Sequence, residues 1–221
     1  MTICEFLRRS LTALLASVLA VPLSAQDTSR PRKNTFAVGA GVGIPAGDLR
    51  QFMSLSGAIR LKYGYRFTRN LQADVGLDAV IGAAGIDISQ QTPVGELRIR
   101  DVECIVPMGG RAILPLAADW LELFAGGGVV YLRYSEYADL PDLVHTGYVD
   151  VPCPGCTARS GWGFYGTAGI NIALERRKRI WLGMEAQYIA GTTSGKLLGT
   201  GARFETKDRW LNTAMNLVFR F

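Results

Sequence analysis

Period-two alternation is the feature that most restricts the fold of this chain. In residues 36–44 every second residue is apolar, and the residues between them are Ala37 and three glycines. Because neighbouring strand side chains point to opposite faces, this pattern predicts a strand rather than a helix. Further alternating segments cover about residues 58–67, 71–82, 101–112, 121–134, 162–174, 180–188 and 211–221. The chain is therefore predicted to be all-β, with eight strands.

The predicted connections alternate between long and short. The long connections cover about residues 45–55, 83–98, 135–160 and 191–207, and only short turns separate the other strands. Each strand has about the 9–11 residues that a tilted strand needs to cross a bilayer. An even strand number, with short turns at one end and long loops at the other, is typical of outer-membrane barrels. The pattern predicts an eight-stranded antiparallel up-and-down transmembrane β-barrel.

Two predicted strands are less regular than the others. Pro107 has no N–H to donate to a ladder, so we expect a bulge or a strand break there. In the following strand Phe124, Val130 and Leu132 lie on the face opposite to the other apolar residues.

The glycines indicate which face of the sheet is the inside. Most strand glycines share a face with the charged residues, and glycine weakens a strand unless close approach requires it. A lumen of eight strands has little room, so we expect this face to line it. Buried charges must then pair, because an isolated buried ion costs several kcal/mol. The predicted lumen ion-pair network consists of Arg60, Lys62, Arg66, Asp74, Asp78, Asp101, Glu103, Arg111, Glu122, Glu185 and Arg220.

Aromatic residues lie near the ends of the apolar face. The two predicted belts contain Tyr63, Tyr65 and Phe67 at one rim and Tyr131, Trp162, Phe164 and Tyr188 at the other. Such belts mark the two interfaces of a membrane-spanning barrel. The alternative is a soluble lipocalin-like barrel in the periplasm, in which the same side chains would fill the core and hold a ligand.

The first 25 residues have the features of a cleavable signal peptide. Arg8 and Arg9 precede an apolar run over residues 10–23, and the small residues Ser24 and Ala25 end it. We therefore expect a signal peptide over 1–25, a flexible tail over 26–34 and a barrel domain over 35–221. The net charge of +5 is dispersed and is not interleaved with aromatic residues. This distribution argues against nucleic acid as a partner.

The chain resembles the small OmpA/OmpX-type outer-membrane β-barrels. Residues 36–48 and the last strand, 212–221, carry the resemblance, although Thr213 departs from it. The resemblance implies an outer-membrane location with periplasmic termini, contact with outer-membrane lipids, and recognition by the barrel assembly machinery. The residues it assigns to that assembly signal are Leu217, Phe219 and Phe221. A fold-level match transfers no activity.

Cys153-Pro-Gly-Cys156 lies in the longest predicted loop. In an oxidising compartment we expect a local disulfide, in preference to a metal site with His145 and Asp150, and a metal site in preference to a redox centre. Cys104 stands alone in the sequence.

The functional expectation is a non-enzymatic surface barrel without a cofactor. Its interior should be filled by side chains, so a porin-like channel is not expected. Four loops would contact an unknown extracellular partner or support envelope structure. The alternative is a lipid-A-modifying enzyme that uses His145 with Ser160 or Ser194, although no motif joins these residues.

Overall fold

The computed structural model describes residues 32–51, 53–83, 90–92, 95–116, 120–141, 148–151, 158–196 and 203–221. Arg32–Phe221 form one compact unit. The predicted signal peptide and the tail before residue 32 lie outside the described residues. Among the described residues, no helix is long and apolar enough to span a membrane.

Ten antiparallel strands form the sheet, and eight of them are long. The long strands are β1 (Asn34–Gly47), β2 (Ser56–Arg66), β3 (Leu71–Ala83), β5 (Gly95–Leu116), β6 (Leu121–Pro141), β8 (Ala158–Ala173), β9 (Ile180–Lys196) and β10 (Arg203–Arg220). Two short strands, β4 (Gln90–Thr92) and β7 (Tyr148–Val151), pair with β5 and β6. A 3-10 helix, Asp48–Gln51, follows β1.

The eight long strands close into a ring. Neighbouring strands pair in the order β5-β3-β2-β1-β10-β9-β8-β6, and β6 pairs with β5 to complete the circle. First and last strands are in register from Thr35 opposite Arg220 to Gly47 opposite Asp208. The predicted eight-stranded antiparallel barrel is confirmed.

The barrel has two different ends. Short turns join β2 to β3, β5 to β6 and β8 to β9 at one end, which we call the short-turn end. Both described chain termini lie there, because the backbones of Asn34 and Phe221 exchange hydrogen bonds of 3.0 Å. The long connections lie at the opposite end, the long-connection end.

Three of the predicted long loops begin and end in the wrong places. The expected loop 135–160 contains the end of β6 and the start of β8, and 191–207 contains the end of β9 and the start of β10. These ends are hydrogen-bonded hairpins, with Arg203 opposite Lys196. Similarly, β5 begins inside the expected loop 83–98. Sequence alternation fails there because both faces of the strands are polar.

Pro107 does not end or shift its strand. The β3 ladder pairs Val75 with Met108 and resumes with Asp78 opposite Ile105, in unchanged register. On its other side Pro107 pairs with Val130. The expected bulge or strand break is therefore wrong, because the missing N–H interrupts only the β3 ladder locally.

Apolar side chains face outward and charged side chains face the lumen. Val75 and Met215 are 44% and 56% exposed, whereas Arg60 and Glu185 are 2% and 5% exposed. An outward apolar surface is the reverse of a lipocalin, in which the apolar side chains are enclosed. The soluble lipocalin-like alternative is therefore wrong.

Close strand packing explains two lumen glycines. A Cβ atom on Gly41 would lie 1.8 Å from the carbonyl oxygen of Thr213 on β10. One on Gly64 would lie 2.5 Å from the carboxylate of Asp74 and 2.2 Å from the amide of Gln72. The lumen has no space for a side chain at either position.

Replacing Val75 by arginine tests the orientation of the wall. A lipid-facing arginine near the middle of the bilayer lowers the free energy of unfolding by about 2–4 kcal/mol. We expect this loss for Val75→Arg in phospholipid vesicles, measured by denaturant titration. Val75→Leu is the control and should retain wild-type stability; equal stability of the arginine variant would contradict the outward placement.

Candidate functional site: the filled lumen and the two rims

A carboxylate and two arginines pair near the short-turn end of the lumen. Glu122 accepts hydrogen bonds from Arg66 at 2.8 Å and from Arg220 at 3.0 Å. The guanidinium of Arg220 lies 3.7 Å from the ring centroid of Trp181, which is buried. Ala37, Ala173 and Val218 pack with this tryptophan. Charge pairing and an aromatic ring therefore fill this end of the lumen.

A second ion-pair cluster fills the middle of the lumen. Arg60 on β2 lies opposite Asp78 on β3 in the strand register, and their side chains pair at 3.0 Å. From across the lumen, Glu185 on β9 pairs with Lys62 at 2.5 Å and with Arg60 at 3.4 Å. The remaining contacts of the cluster join Arg111 to Asp74, Gln187 to Arg60 and Thr167 to Glu185.

The charged clusters leave little open space. The cavity lined by Lys62, Asp74, Arg111, Glu185 and Arg220 has a volume of about 20 Å³. This volume is enough for one or two water molecules. Around this cavity the described ion pairs therefore pack the lumen and leave no passage of solute size.

An apolar layer closes the lumen above the ion pairs, toward the long-connection end. Its wall members are fully buried, and Leu49 and Met53 from the β1–β2 connection complete it. The wall members are Val80, Ile105, Val130, Leu132, Ile189 and Trp210. The irregular alternation at Val130 and Leu132 was the sequence signal for this layer.

Above this layer the wall extends beyond its apolar belt. The last outward apolar side chains at this end are Ile44, Ile59, Ile81, Val102, Tyr131, Trp162, Tyr188 and Leu211. Beyond them the exposed side chains of Lys207 and Arg209 alternate with buried ones on β10. Because charged side chains facing lipid are costly, the membrane-spanning segments end at the apolar belt.

A polar cluster occupies the lumen of this extension. Arg159 donates to Thr206 at 3.1 Å, lies 3.9 Å from an oxygen of Asp208 and stacks 4.0 Å from the Tyr134 ring. Trp210 donates from its indole nitrogen to Glu103 at 2.7 Å. Sequence analysis missed these partners, although Asp208 and Trp210 continue the lumen-facing alternation of β10.

The placement of Asp101 and Glu103 corrects the predicted network. Both are buried in the lumen, but no described ion pair joins them to its arginines. Asp78 lies opposite Ile105 and Val80 lies opposite Glu103, so on this ladder each of the two carboxylates faces a buried apolar residue of the neighbouring strand. The sequence had placed all of these charges in one network.

Burial shifts the pKa of two carboxyl groups of the extension upward. It raises the pKa of Asp101 to about 6, opposed by a hydrogen bond from Tyr134. Burial also raises the pKa of Asp208, opposed by a hydrogen bond from Thr193 and by the charge of Arg159. Both groups therefore hold their protons to higher pH than an exposed aspartate does.

The predicted belt residues and assembly signal lie on the outer surface. Tyr131 packs edge-on against Trp162, with ring centroids 5.3 Å apart. Leu217 and Phe221 are exposed. The other outward side chains of these sets are Tyr63, Tyr65, Phe67, Phe164, Tyr188 and Phe219.

The cysteines differ from expectation at one position. Cys104 is disulfide-bonded, so it does not stand alone. Its partner lies outside the described residues, as do Cys153, Cys156 and His145.

Among the described residues, no group of three or more His, Cys, Asp or Glu side chains is placed to hold a metal ion. Ser160 lies opposite Ser194 in the β8–β9 register.

The closed ring, the outward apolar belt and the filled polar lumen define the class. This chain has the fold of the small eight-stranded transmembrane β-barrels of the outer membrane.

Solved structures share this fold. Ail, the attachment invasion locus protein of Yersinia pestis, has a TM-score of 0.50 at 11% identity, covering 87% of this chain and 100% of Ail. The structure of Ail in complex with the heparin analogue sucrose octasulfate has a TM-score of 0.51, with the same identity and coverage. Outer Membrane Protein W of E. coli has a TM-score of 0.48 at 15% identity, and the match covers 87% of this chain and 100% of that protein. No protein-family model and no curated protein matches the sequence.

The raised pKa of Asp101 predicts that stability falls as pH rises. Between the unfolded pKa of an aspartate, about 3.9, and the folded pKa of Asp101, about 6, the folded state binds more protons than the unfolded state. Its free energy of unfolding should therefore decrease across this window. Asp101→Asn should flatten the dependence between pH 4 and pH 7, measured by denaturant titration. The matched control is Glu205→Gln on the exposed face of β10; an equal effect of both variants would contradict the assignment.

Proposed function

We propose that the protein is a non-enzymatic integral outer-membrane barrel whose long connections make contacts at the cell surface. The observation that carries this proposal is the filled lumen. Ion pairs and an apolar layer occupy the interior, and the cavity of about 20 Å³ is too small for a solute. Binding surfaces of functional size are therefore available at the rims rather than inside.

The wall of the long-connection end supports such a role. Residues 132–141 continue β6 beyond the apolar belt, which adds roughly 30 Å along the strand at about 3.3 Å per residue. The hydrogen-bonded strands of this extension fix the positions from which the connections emerge. A rigid base reduces the entropy lost when a loop binds a partner.

The two ends suit opposite sides of the outer membrane. Barrels of this class have short periplasmic turns and longer extracellular loops. We therefore place both termini in the periplasm, the apolar belt among outer-membrane lipids and the four long connections outside the cell. The exposed apolar side chains of the last strand, Leu217 and Phe221, suit recognition by the barrel assembly machinery before the ring closes.

We propose that the long connections attach the cell to an extracellular partner. Ail is called an attachment invasion locus protein and was solved with a heparin analogue. Its likeness to this chain is one of fold, so the partner of the loops must be found by experiment.

Epitope insertion tests the orientation and the role of the loops. An epitope in the connection 152–157 should bind antibody on intact cells, whereas one after Arg176 in the β8–β9 turn should bind only after permeabilisation. Replacing residues 142–157 by a short turn should reduce cell attachment without removing the heat-dependent gel shift of a folded barrel. Antibody binding to the β8–β9 turn on intact cells would contradict the orientation.

The non-enzymatic part of the proposal has a separate test. If the protein modified lipid A with His145 as a base, expressing it would change the mass of lipid A and His145→Ala would abolish the change. We expect lipid A of the same mass from cells with the wild-type protein, the variant or no protein. A change that depends on His145 would establish the enzymatic alternative.

A further inference from the structure

Six basic side chains collect at the short-turn end of the barrel. They belong to the start of the described chain and to the turn between β8 and β9, and we call them the basic rim. Its members are Arg32, Lys33, Arg176, Arg177, Lys178 and Arg179. Within the described residues 32–34 and 174–179, Glu175 alone is acidic. This end therefore has a strong excess of positive charge.

Backbone pairing brings the two segments together. The amide of Arg220 donates to the carbonyl of Arg179 at 2.8 Å, and Asn34 pairs with Phe221 beside it. The guanidinium of Arg32 donates to the carbonyl of Arg177. The basic rim is thus one surface formed by β10, the start of β1 and the β8–β9 turn.

Glu175, the one acidic side chain of these segments, stabilises the β8–β9 turn. Glu175 accepts the amide of Arg179 at 3.0 Å through its carboxylate, and the amide of Lys178 at 2.9 Å through its backbone carbonyl. Partial burial and then the charge of Arg179 lower the pKa of Arg32; Glu175 opposes this shift, and Arg177 adds to it. The rim therefore holds cations close together, and a bound anion would relieve their repulsion.

The aromatic belt places this surface at the level of lipid headgroups. Tyr63, Phe67 and Phe221 are exposed at the same end, and aromatic belts lie at the membrane interface. The ammonium of Lys178 lies 5.8 Å from the ring centroid of Trp120, which is also exposed. We propose that the basic rim binds the anionic phospholipid headgroups of the leaflet at the short-turn end. This inference rests on the membrane insertion in the proposed function.

Electrostatics sets the expected size of the effect. A basic side chain near an anionic membrane surface strengthens binding about fivefold, and salt screens the attraction. Lys33, Arg176 and Arg177 are exposed, so their replacement does not disturb the lumen. Removing all three charges should eliminate most of the preference for anionic lipid.

Quenching by brominated lipids provides a local measurement. In a Trp162→Phe background Trp120 is the exposed tryptophan among the described residues, because Trp181 and Trp210 are buried in the lumen. The folded protein is placed in phosphatidylcholine vesicles that contain brominated phosphatidylglycerol or, at equal mole fraction, brominated phosphatidylcholine. Both leaflets have the same composition, so the direction of insertion does not matter.

We expect at least a fivefold preference of the Trp120 site for phosphatidylglycerol at low salt. The triple variant Lys33→Gln, Arg176→Gln, Arg177→Gln should bring the ratio close to one, and so should 0.5 M NaCl. The matched control is Arg203→Gln, Lys207→Gln, Arg209→Gln, which removes one lysine and two arginines from exposed positions of β10 at the other end. This control should keep the preference.

The outcomes separate the inference from the proposed function. A wild-type ratio near one at low salt, with strong quenching by brominated phosphatidylcholine, would overturn the lipid site and leave the membrane barrel intact. Absence of quenching by either lipid would overturn membrane insertion and the lipid site together. If the protein shows no lipid preference but is retained on purified peptidoglycan, the basic rim binds that polymer, and the lipid proposal is overturned. The heat-dependent gel shift shows that each variant is folded.

Discussion

Pairing between the first and the last strand is the interaction on which the rest of the structure depends. In a lipid environment no water is available to bond a free strand edge, so a spanning sheet must close. The pairs from Thr35–Arg220 to Gly47–Asp208 provide this closure. They also bring the two described termini to the same end, where the basic rim forms. The pairing of β1 with β10 therefore determines both the closed barrel and the difference between its two ends.

Closure with eight strands fixes a narrow interior, and the lumen composition follows from that. Charged side chains can be buried there because each carboxylate of the two ion-pair clusters has a cationic partner: Glu122 has two, and Glu185 is shared by Arg60 and Lys62. Removing one partner of such a pair would leave an uncompensated buried charge. The network therefore fixes the packing of the interior.

The sequence predicted the features that repeat with a period of two, and not those that depend on distance across the lumen. Arg60 and Asp78 could be placed inside from alternation alone. The contact of Arg60 with Glu185 depends on the register of β1 and β10, which lie between β2 and β9 in the ring. Val130, Leu132 and Trp210 were missed because an inward apolar residue looks like a broken pattern. The polar end of β9 and the polar start of β10 were predicted to be loop because a strand beyond the membrane no longer needs an apolar outer face.

The outer face of the wall must be apolar where it contacts lipid but not beyond it. The long-connection end can therefore carry a different chemistry from the membrane-spanning wall. Within the apolar belt each outward position must be apolar, and the alternation is constrained by lipid. Above the belt the wall is held by backbone pairing and by the lumen contacts of Arg159, Glu103 and Trp210. Its outer positions are free of the lipid constraint, so Arg203, Lys207 and Arg209 can face solvent there. A binding surface can therefore change at this end without altering the residues that make the barrel stable.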